Sequence, residues 1–381
     1  MNQPAKVDQI LLGAVLCLTG FGLVMVYSAS AVFAQDQMQD ALYFFKRQLV
    51  HTTLGLAALW FGATLGYQRL TKFAYPLLLV TAVLLVIVLL PGLGTTAGGS
   101  TRWLRLGWLS IQPGEIAKVT VVIYLAYSLT RKQDKIKAFS TGCLPHLMIC
   151  GVLVLLLLVQ PDFGTSATLT LILFFMLFLA GTRVSYIVVT ALASLPMAYL
   201  LIVGSPYRVQ RMLAFLNPWP HRFDVGYQIT ESLMSFGSGG VLGVGLGESK
   251  NKLFFLPAAH TDFIYSIIGE ELGLVGALAV VALYGLVVWR GLRAAVRAPD
   301  VFGTLLAFGF SLLIGLQTLV NIGVVTGLLP TKGLTLPLIS YGGSSLICMM
   351  FALGIVLDIS ARGMAEHSAR DLKVTWPCFN E

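Results

Sequence analysis

The chain has 381 residues, of which 57% are hydrophobic and only 11% are charged. The charged share is less than half of the roughly 25% that is usual in soluble globular domains, which excludes a water-soluble fold. A net charge of +8 would suggest a nucleic-acid ligand in a soluble protein, but in a membrane protein it indicates loops that face anionic lipid. We therefore expect no nucleic-acid partner.

Ten apolar runs follow one another along the chain, and each is close to the length of about 20 residues that crosses a bilayer. They lie at about 9–33, 48–66, 70–91, 114–130, 143–160, 165–181, 185–204, 263–289, 302–328 and 338–359. The pattern predicts an all-α integral membrane protein with ten transmembrane helices, folded as a single polytopic membrane domain over 1–381. The first run also has features of a cleaved signal peptide, but its length and the many later runs favour an uncleaved helix.

The basic residues predict the orientation of this bundle. Ten crossings place both termini on one side, and the short loops on that side carry most of the Lys and Arg residues, as at 131–137. By the positive-inside rule both termini, including a short tail at 362–381, are cytoplasmic. Lys46 and Arg47 are a local exception on the opposite, outer side.

Two outer segments are too long to be simple connectors. They are a first outer loop at 92–112 and a large outer loop at 205–261, between helices 7 and 8, and loops of this length are usually functional. The second contains six glycines between 237 and 247. A nucleotide-binding motif is not supported there, because no strand precedes the glycines and no Gly-Lys-Ser/Thr follows. We expect close backbone packing or re-entrant turns instead.

Ionisable residues near or inside the spans are costly, so each requires a reason. Glu115 and Lys118 lie one turn apart at the start of the fourth span and can pair there. That pair either has a structural role or lines a polar cavity. Glu270 and Glu271 lie two turns into the eighth span, and at least one of them should point into the bundle.

Two aspartates have an ambiguous position at the start of a helix. Asp162 either caps the sixth helix or contributes to a site, and Asp262 has the same two possibilities at the start of the eighth. In the sequence SYGGSS at 340–345, Ser344 lies at a helix start that suits a phosphate, although a tight turn with small residues explains the pattern equally well. No His or Cys cluster has the spacing of metal ligands.

Several motifs together resemble the SEDS family. They are GSTRW at 99–103, QPDFGT at 160–165, GYQ at 226–228, SL at 232–233, FGSGG at 236–240, LP at 256–257, HTDFI at 260–264, GEELG at 269–273 and LPLISYGGSS at 336–345. Within the family, GEELG together with GLGES at 245–249 and KLF at 252–254 resembles the cell-division branch more than the elongation branch.

The resemblance implies ten transmembrane helices and a peptidoglycan glycosyltransferase that polymerises lipid II on the outer face of the bacterial inner membrane. It also implies undecaprenyl-pyrophosphate-linked glycan as the growing chain, a class B penicillin-binding protein as partner transpeptidase, and contacts with other divisome proteins. The essential acid of the family falls on Asp262, its loop arginine on Arg102, and its charged pair on Glu115 and Lys118. The remaining residues that we predict to bind substrate are Asp162, His260, Lys332 and Ser344.

The chemistry of this reaction has its own requirements. A base must accept the proton of a sugar 4-hydroxyl, and cations or N–H groups must hold the departing pyrophosphate. Asp262 supplies the carboxylate, and Arg102, Lys118 and Lys332 supply positive charge. A divalent cation, Mg²⁺ or Mn²⁺, shared between Asp262 and pyrophosphate is compatible with this chemistry but has no signature in the sequence. The alternatives are a lipid II flippase and a scaffold that only positions a transpeptidase.

Overall fold

The computed structural model describes residues 7–97, 100–106, 109–252 and 259–375. The LP motif at 256–257, the LF residues at 253–254, the first residue of GSTRW and the end of the tail at 376–381 lie outside the described residues. The chain forms α1 (Gln9–Met38), α2 (Tyr43–Leu65), α3 (Leu70–Leu89), β1 (Gly94–Ala97), β2 (Ser100–Leu106), β3 (Leu109–Ile111), α4 (Pro113–Arg131), α5 (Leu144–Val159), α6 (Phe163–Leu179), α7 (Val184–Val203), α8 (Pro206–Leu216), α9 (Tyr227–Gly239), α10 (Ile264–Val296), α11 (Val301–Val325) and α12 (Gly343–Thr375).

Each of the ten apolar runs coincides with a helix, namely α1–α7 and α10–α12. Within the described residues, six helices are long and apolar enough to cross a membrane by length and composition, and α6 and most of α7 form shorter apolar helices. These helices pack into one bundle in which buried side chains of α4, α10, α11 and α12 form much of the core. The predicted integral membrane class is thus confirmed.

Small residues allow a close helix contact between α2 and α12. A Cβ on Gly354 would lie 2.1 Å from the carbonyl oxygen of Leu59, and one on Gly62 would lie 2.6 Å from that of Phe351. In a membrane, helix association relies on van der Waals packing of this kind because apolar burial alone gives little preference over lipid. The last helix starts later than predicted, since residues 338–342 form a non-helical approach to α12.

Helix α10 is interrupted at Gly273, whose φ of 65° and ψ of −165° are not helical. The glycine-rich segment 240–245 satisfies the backbone groups that the break exposes. The backbone N–H groups of Val244 and Gly245 donate to the carbonyls of Glu270 and Glu271, both at 3.0 Å. In return, the N–H groups of Leu274 and Val275 donate to the carbonyls of Gly240 and Val241. The predicted close backbone packing of the glycines is confirmed, and the break within α10 was not predicted.

Both segments that we predict to be outer loops contain regular structure that the sequence did not predict. Strands β1, β2 and β3 form an antiparallel sheet in chain order, with Leu104 opposite Ile111. The prediction of a large loop at 205–261 is wrong in part, because this segment contains the amphipathic helix α8 and the helix α9. Helix α9 is fixed to the bundle by the Ser232 hydroxyl, which donates to the Val325 carbonyl over 2.6 Å.

Candidate functional site

Asp262 lies in the turn immediately before α10, at the end of the bundle that carries the small sheet. Its backbone carbonyl accepts a hydrogen bond of 2.8 Å from the Asn321 amide, which also donates to the Leu334 carbonyl. Its carboxylate lies against Gly333, where an added Cβ would be 3.0 Å from Oδ2. Phe263 is the N-cap of α10, without a side-chain hydrogen bond. The capping role considered for Asp262 is therefore wrong, and its carboxylate accepts no hydrogen bond from the described residues.

Asp162 does cap a helix, because its carboxylate accepts hydrogen bonds from the backbone N–H and the hydroxyl of Thr165, at 3.2 and 2.9 Å. The capping carboxylate also faces Arg102 from β2, with Nη1 and Oδ1 3.8 Å apart. The guanidinium of Arg102 donates a second contact to the Pro161 carbonyl. The other side of the Asp162 carboxylate lies 3.4 Å from the Cβ position of Gly114, at the start of α4. Asp162 thus joins the sheet, α4 and α6.

The charged groups of this site influence one another. Burial raises the pKa of the Asp262 carboxyl to about 6, and the positive charge of Arg102 opposes that shift. Burial lowers the pKa of the Lys332 ammonium, while the negative charge of Asp162 opposes the shift. The two aspartates and two cations therefore share one electrostatic neighbourhood, and we refer to them as the acid–cation cluster.

Glu115 and Lys118 form the buried pair that their spacing predicts. The Lys118 ammonium donates to Oε1 of Glu115 over 2.7 Å, and both side chains are almost completely inaccessible to solvent. The second carboxylate oxygen, Oε2, is buried without a hydrogen-bond partner, as are both amide atoms of Gln317 on the adjacent α11. Buried polar atoms of this kind are normally satisfied, so this level of the bundle has capacity for further polar ligands or water.

His260 belongs to an aromatic cluster rather than to the acid–cation cluster. Its ring lies 4.5 Å from that of Phe44, 5.9 Å from that of Phe33 and 5.8 Å from that of Tyr341. Burial lowers the pKa of His260 to about 4, so the imidazole is neutral at neutral pH. The cluster fixes the turn before Asp262 against α1, α2 and the approach to α12, and a substrate contact of His260 remains a prediction.

Ser344 lies in the first turn of α12. Its hydroxyl donates to the Ser110 carbonyl and accepts from the Gln112 backbone N–H, both over 3.1 Å. Ser344 therefore joins α12 to β3 and to the start of α4. Its predicted role in binding substrate remains a prediction.

The side chains of Glu270 and Glu271 both point into the protein interior, beside the break in α10. Glu270 accepts from the Ser249 hydroxyl at 2.6 Å and from the Lys250 N–H at 3.0 Å. Glu271 accepts from the Ser28 hydroxyl at 2.7 Å and pairs with the Lys252 ammonium at 3.0 Å. These acids anchor the returning outer segment to α1 and α10. Sequence reasoning did not predict these contacts, because every partner is distant in the chain or follows the glycine-rich segment.

Among the described residues, no group of three or more His, Cys, Asp or Glu side chains is arranged to hold a metal ion. Asp262 offers one open carboxylate, whereas the carboxylate of Asp162 already accepts hydrogen bonds from Thr165. A cation at Asp262 would thus take most of its ligands from a phosphate-bearing substrate and water, which suits Mg²⁺.

Comparison with known proteins extends over nearly the whole chain. The family model described as "Cell cycle protein", which covers FtsW, RodA and SpoVE, matches residues 9–364. The chain belongs to this family. Among curated members, a probable peptidoglycan glycosyltransferase FtsW of Geobacter sulfurreducens is 49% identical over 357 residues, covering 94% of this chain and 96% of the relative. Stage V sporulation protein E of Bacillus subtilis is 41% identical over 353 residues, covering 93% and 96%.

Solved structures of the FtsW/RodA/SpoVE family share the fold. One chain of a peptidoglycan synthase complex that coordinates polymerization and crosslinking superimposes with a TM-score of 0.78 at 31% identity, covering 94% of this chain and 98% of the other. The crystal structure of Thermus thermophilus RodA, a rod shape determining protein, gives a TM-score of 0.69 at 30% identity, covering 93% and 97%. The resemblance to the SEDS family is thereby confirmed.

Proposed function

We propose that this protein is a peptidoglycan glycosyltransferase of the FtsW type, which polymerises lipid II during bacterial cell division. The curated FtsW relatives, at up to 49% identity over nearly the full chain, support the reaction and the cell-division branch. The single structural observation that carries the mechanism is the open carboxylate of Asp262, which lies near cations and has a pKa of about 6.

The acid–cation cluster provides the two functions that this reaction needs. Ionised Asp262 accepts the proton of the attacking sugar 4-hydroxyl, and its pKa lies near the pH at which it must work. Arg102 and Lys332 stabilise the negative charge that develops on the departing pyrophosphate. Arg102 presents a planar donor fork that matches phosphate oxygens, whereas Lys332 supplies a point charge. A bound Mg²⁺ or Mn²⁺ would neutralise pyrophosphate, with Asp262 as its protein ligand.

The topology that accompanies this function has ten crossings, with both termini in the cytoplasm and the acid–cation cluster on the outer face of the inner membrane. Its support comes from the ten helices that match the apolar runs and from the basic segment at 131–137 at the opposite end. This orientation places the cluster where undecaprenyl-linked substrates meet water. A class B penicillin-binding protein is the expected partner, because a similar chain occurs in a complex that coordinates polymerization and crosslinking.

The deciding experiment compares Asp262→Asn with the wild type in polymerisation of purified lipid II. Asn keeps the shape of the side chain but cannot act as the base, so glycan synthesis should fall by at least about 10². Asp40→Asn is a matched control, because Asp40 is exposed and pairs with Lys46 away from the cluster. Normal membrane accumulation and thermal stability of Asp262→Asn would exclude misfolding. Glycan synthesis near the wild-type rate would refute the proposed base.

A lipid II flippase is the second candidate, because the break in α10 has a counterpart in transporters with discontinuous helices. Segment 240–245 binds two carbonyls and two N–H groups on the two sides of the break, which favours a structural role. Liposomes that contain the protein and fluorescent lipid II distinguish the two functions. Transbilayer movement that requires the protein, together with absence of glycan synthesis, would support the flippase.

A further inference from the structure

A groove lies between α3 and α5 on the side of the bundle away from the acid–cation cluster. Its volume is about 650 Å³, within the range of about 300–1,000 Å³ typical of small-molecule pockets. The lining is almost entirely apolar and includes Tyr75, Leu79 and Ala82 of α3 and Ile149 and Val152 of α5. The side chains of Leu79 and Val152 are more than half exposed, so the rest of the protein does not cover the groove, and the groove would open to the bilayer.

The groove has a polar mouth at one end. Its lining residue Tyr75 has its ring 5.7 Å from that of Tyr127, and the Tyr127 hydroxyl accepts a hydrogen bond of 2.9 Å from Arg131. Lys72 lies three residues before Tyr75, hence on the same face of α3 and one turn nearer the mouth. Both Lys72 and Arg131 are exposed. An aromatic ring next to a Lys or Arg side chain is typical of the depth at which lipid headgroups lie in a membrane.

The connections around this mouth are strongly basic. Segments 66–72 and 131–143 contain six Lys or Arg residues and one acid, Asp134. None of these cations forms an ion pair within the described part of the chain. The mouth thus has a net positive charge, beside a cavity that only an apolar group fills favourably.

We propose that the α3–α5 groove binds an anionic phospholipid, with an acyl chain along Leu79 and Val152 and the phosphate between Lys72 and Arg131. A lipid fits these features better than a transmembrane helix of another protein. The α3 lining from Tyr75 to Ala82 covers eight residues, or about 10 Å, whereas a helix packs over much of the roughly 30 Å hydrocarbon core. The small residues typical of helix–helix interfaces are largely replaced here by large side chains.

The test measures lipid binding to the purified protein by native mass spectrometry. Phosphatidylglycerol and phosphatidylcholine with identical palmitoyl and oleoyl chains separate the headgroup from the chain contribution. The wild type should bind phosphatidylglycerol at least tenfold more tightly. Combined Lys72→Gln and Arg131→Gln should weaken phosphatidylglycerol binding about 30-fold, at about 1 kcal/mol per cation. Phosphatidylcholine binding should weaken much less, because the choline cation of that lipid offsets the charge of its phosphate. Combined Leu79→Trp and Val152→Trp should fill the groove and weaken binding of both lipids.

The start of α7 and the residue before it offer matched controls at the same end of the bundle. Arg183 contacts the Tyr186 hydroxyl much as Arg131 contacts Tyr127, and Val189 is an exposed apolar residue like Leu79. Arg183→Gln and Val189→Trp should leave the binding of both lipids unchanged. Equal losses in these controls would identify only bulk annular lipid and would overturn the proposal.

Two further outcomes also decide the proposal. Phosphatidylglycerol binding that survives in the tryptophan variant, while a co-purifying membrane protein is lost, would identify a helix-docking site and refute a lipid site. A photo-crosslinking residue, p-benzoylphenylalanine, in place of Leu79 avoids dependence on the folding of that variant. It should capture phosphatidylglycerol in the otherwise unchanged protein, and failure to capture it would refute the proposal.

Discussion

Neutralising one member of the Glu115–Lys118 pair should be far more damaging than neutralising both. Both side chains are buried, and the ammonium and carboxylate are 2.7 Å apart. Lys118→Met leaves a carboxylate that has lost its only hydrogen-bond donor among the described residues. Removal of one partner of a buried pair costs about 3–5 kcal/mol, largely because the other charge remains without compensation. Glu115→Gln should have a cost of the same order.

The double variant Glu115→Gln/Lys118→Met removes both charges and should regain most of the lost stability, because replacing a buried pair is often almost neutral. The charge-reversed pair, Glu115→Lys/Lys118→Glu, should recover less than the neutral double. The reversal moves a cation into the first turn of α4, where the helix dipole favours an acid by about 0.3–1 kcal/mol.

The assay is a double-mutant cycle of unfolding free energies in one detergent, with polymerisation of lipid II measured on the same preparations. We expect a coupling energy of at least about 2 kcal/mol. The exposed Asp40–Lys46 pair is a control that should show little coupling. Additive losses, with coupling below about 0.5 kcal/mol, would refute the structural interpretation of the pair. A stable double variant without activity would instead assign the pair to substrate binding.

Three further predictions concern the site and the broken helix. Ionisation of Asp262 with a pKa of about 6 should raise the single-turnover rate of glycan formation about tenfold from pH 5 to pH 7, and a flat profile would exclude it as the base. Arg102→Lys should lower kcat/KM for lipid II by about tenfold or more through loss of the donor fork, whereas Arg105→Lys, exposed on the same strand, should have no effect in that assay. Gly273→Ala should destabilise the protein in thermal unfolding by more than about 1 kcal/mol because φ is 65°, while Gly285→Ala, with open space around it, should not.

The positions of the membrane helices could be predicted because a bilayer imposes a local rule: every spanning segment must be apolar and about 20 residues long. The sheet at 94–111 could not, because short strands with Gly and Thr carry little hydrophobic periodicity. The break at Gly273 also has no local signal, since a glycine within an apolar run is compatible with a continuous helix. It becomes intelligible only when segment 240–245 supplies the partners of the exposed backbone groups.

The candidate site was predictable in its residue types but not in its connections. From the sequence, Asp162 and Asp262 were equally good candidates for a helix cap, and local spacing could not distinguish them. The structure separates them through distant residues: Thr165 binds the carboxylate of Asp162, whereas Gly333 leaves room for that of Asp262. Arg102 reaches the site only because β2 places it beside Pro161. Such contacts depend on tertiary structure, which no local pattern contains.

The interruption of α10 has a consequence for how Asp262 is held in place. Asp262 precedes a helical segment of only nine residues, 264–272, which is too short to be stable as an isolated helix in water. The break at Gly273 separates that segment from the remainder of α10, so helical continuity does not fix its orientation. Its orientation depends on the hydrogen bonds of segment 240–245 and on the partners of Glu270 and Glu271. The position of Glu270 and Glu271 therefore explains why two acids are buried here. They anchor the short helix that follows the proposed base, and their hydrogen-bond partners come from α1 and from residues 249–252.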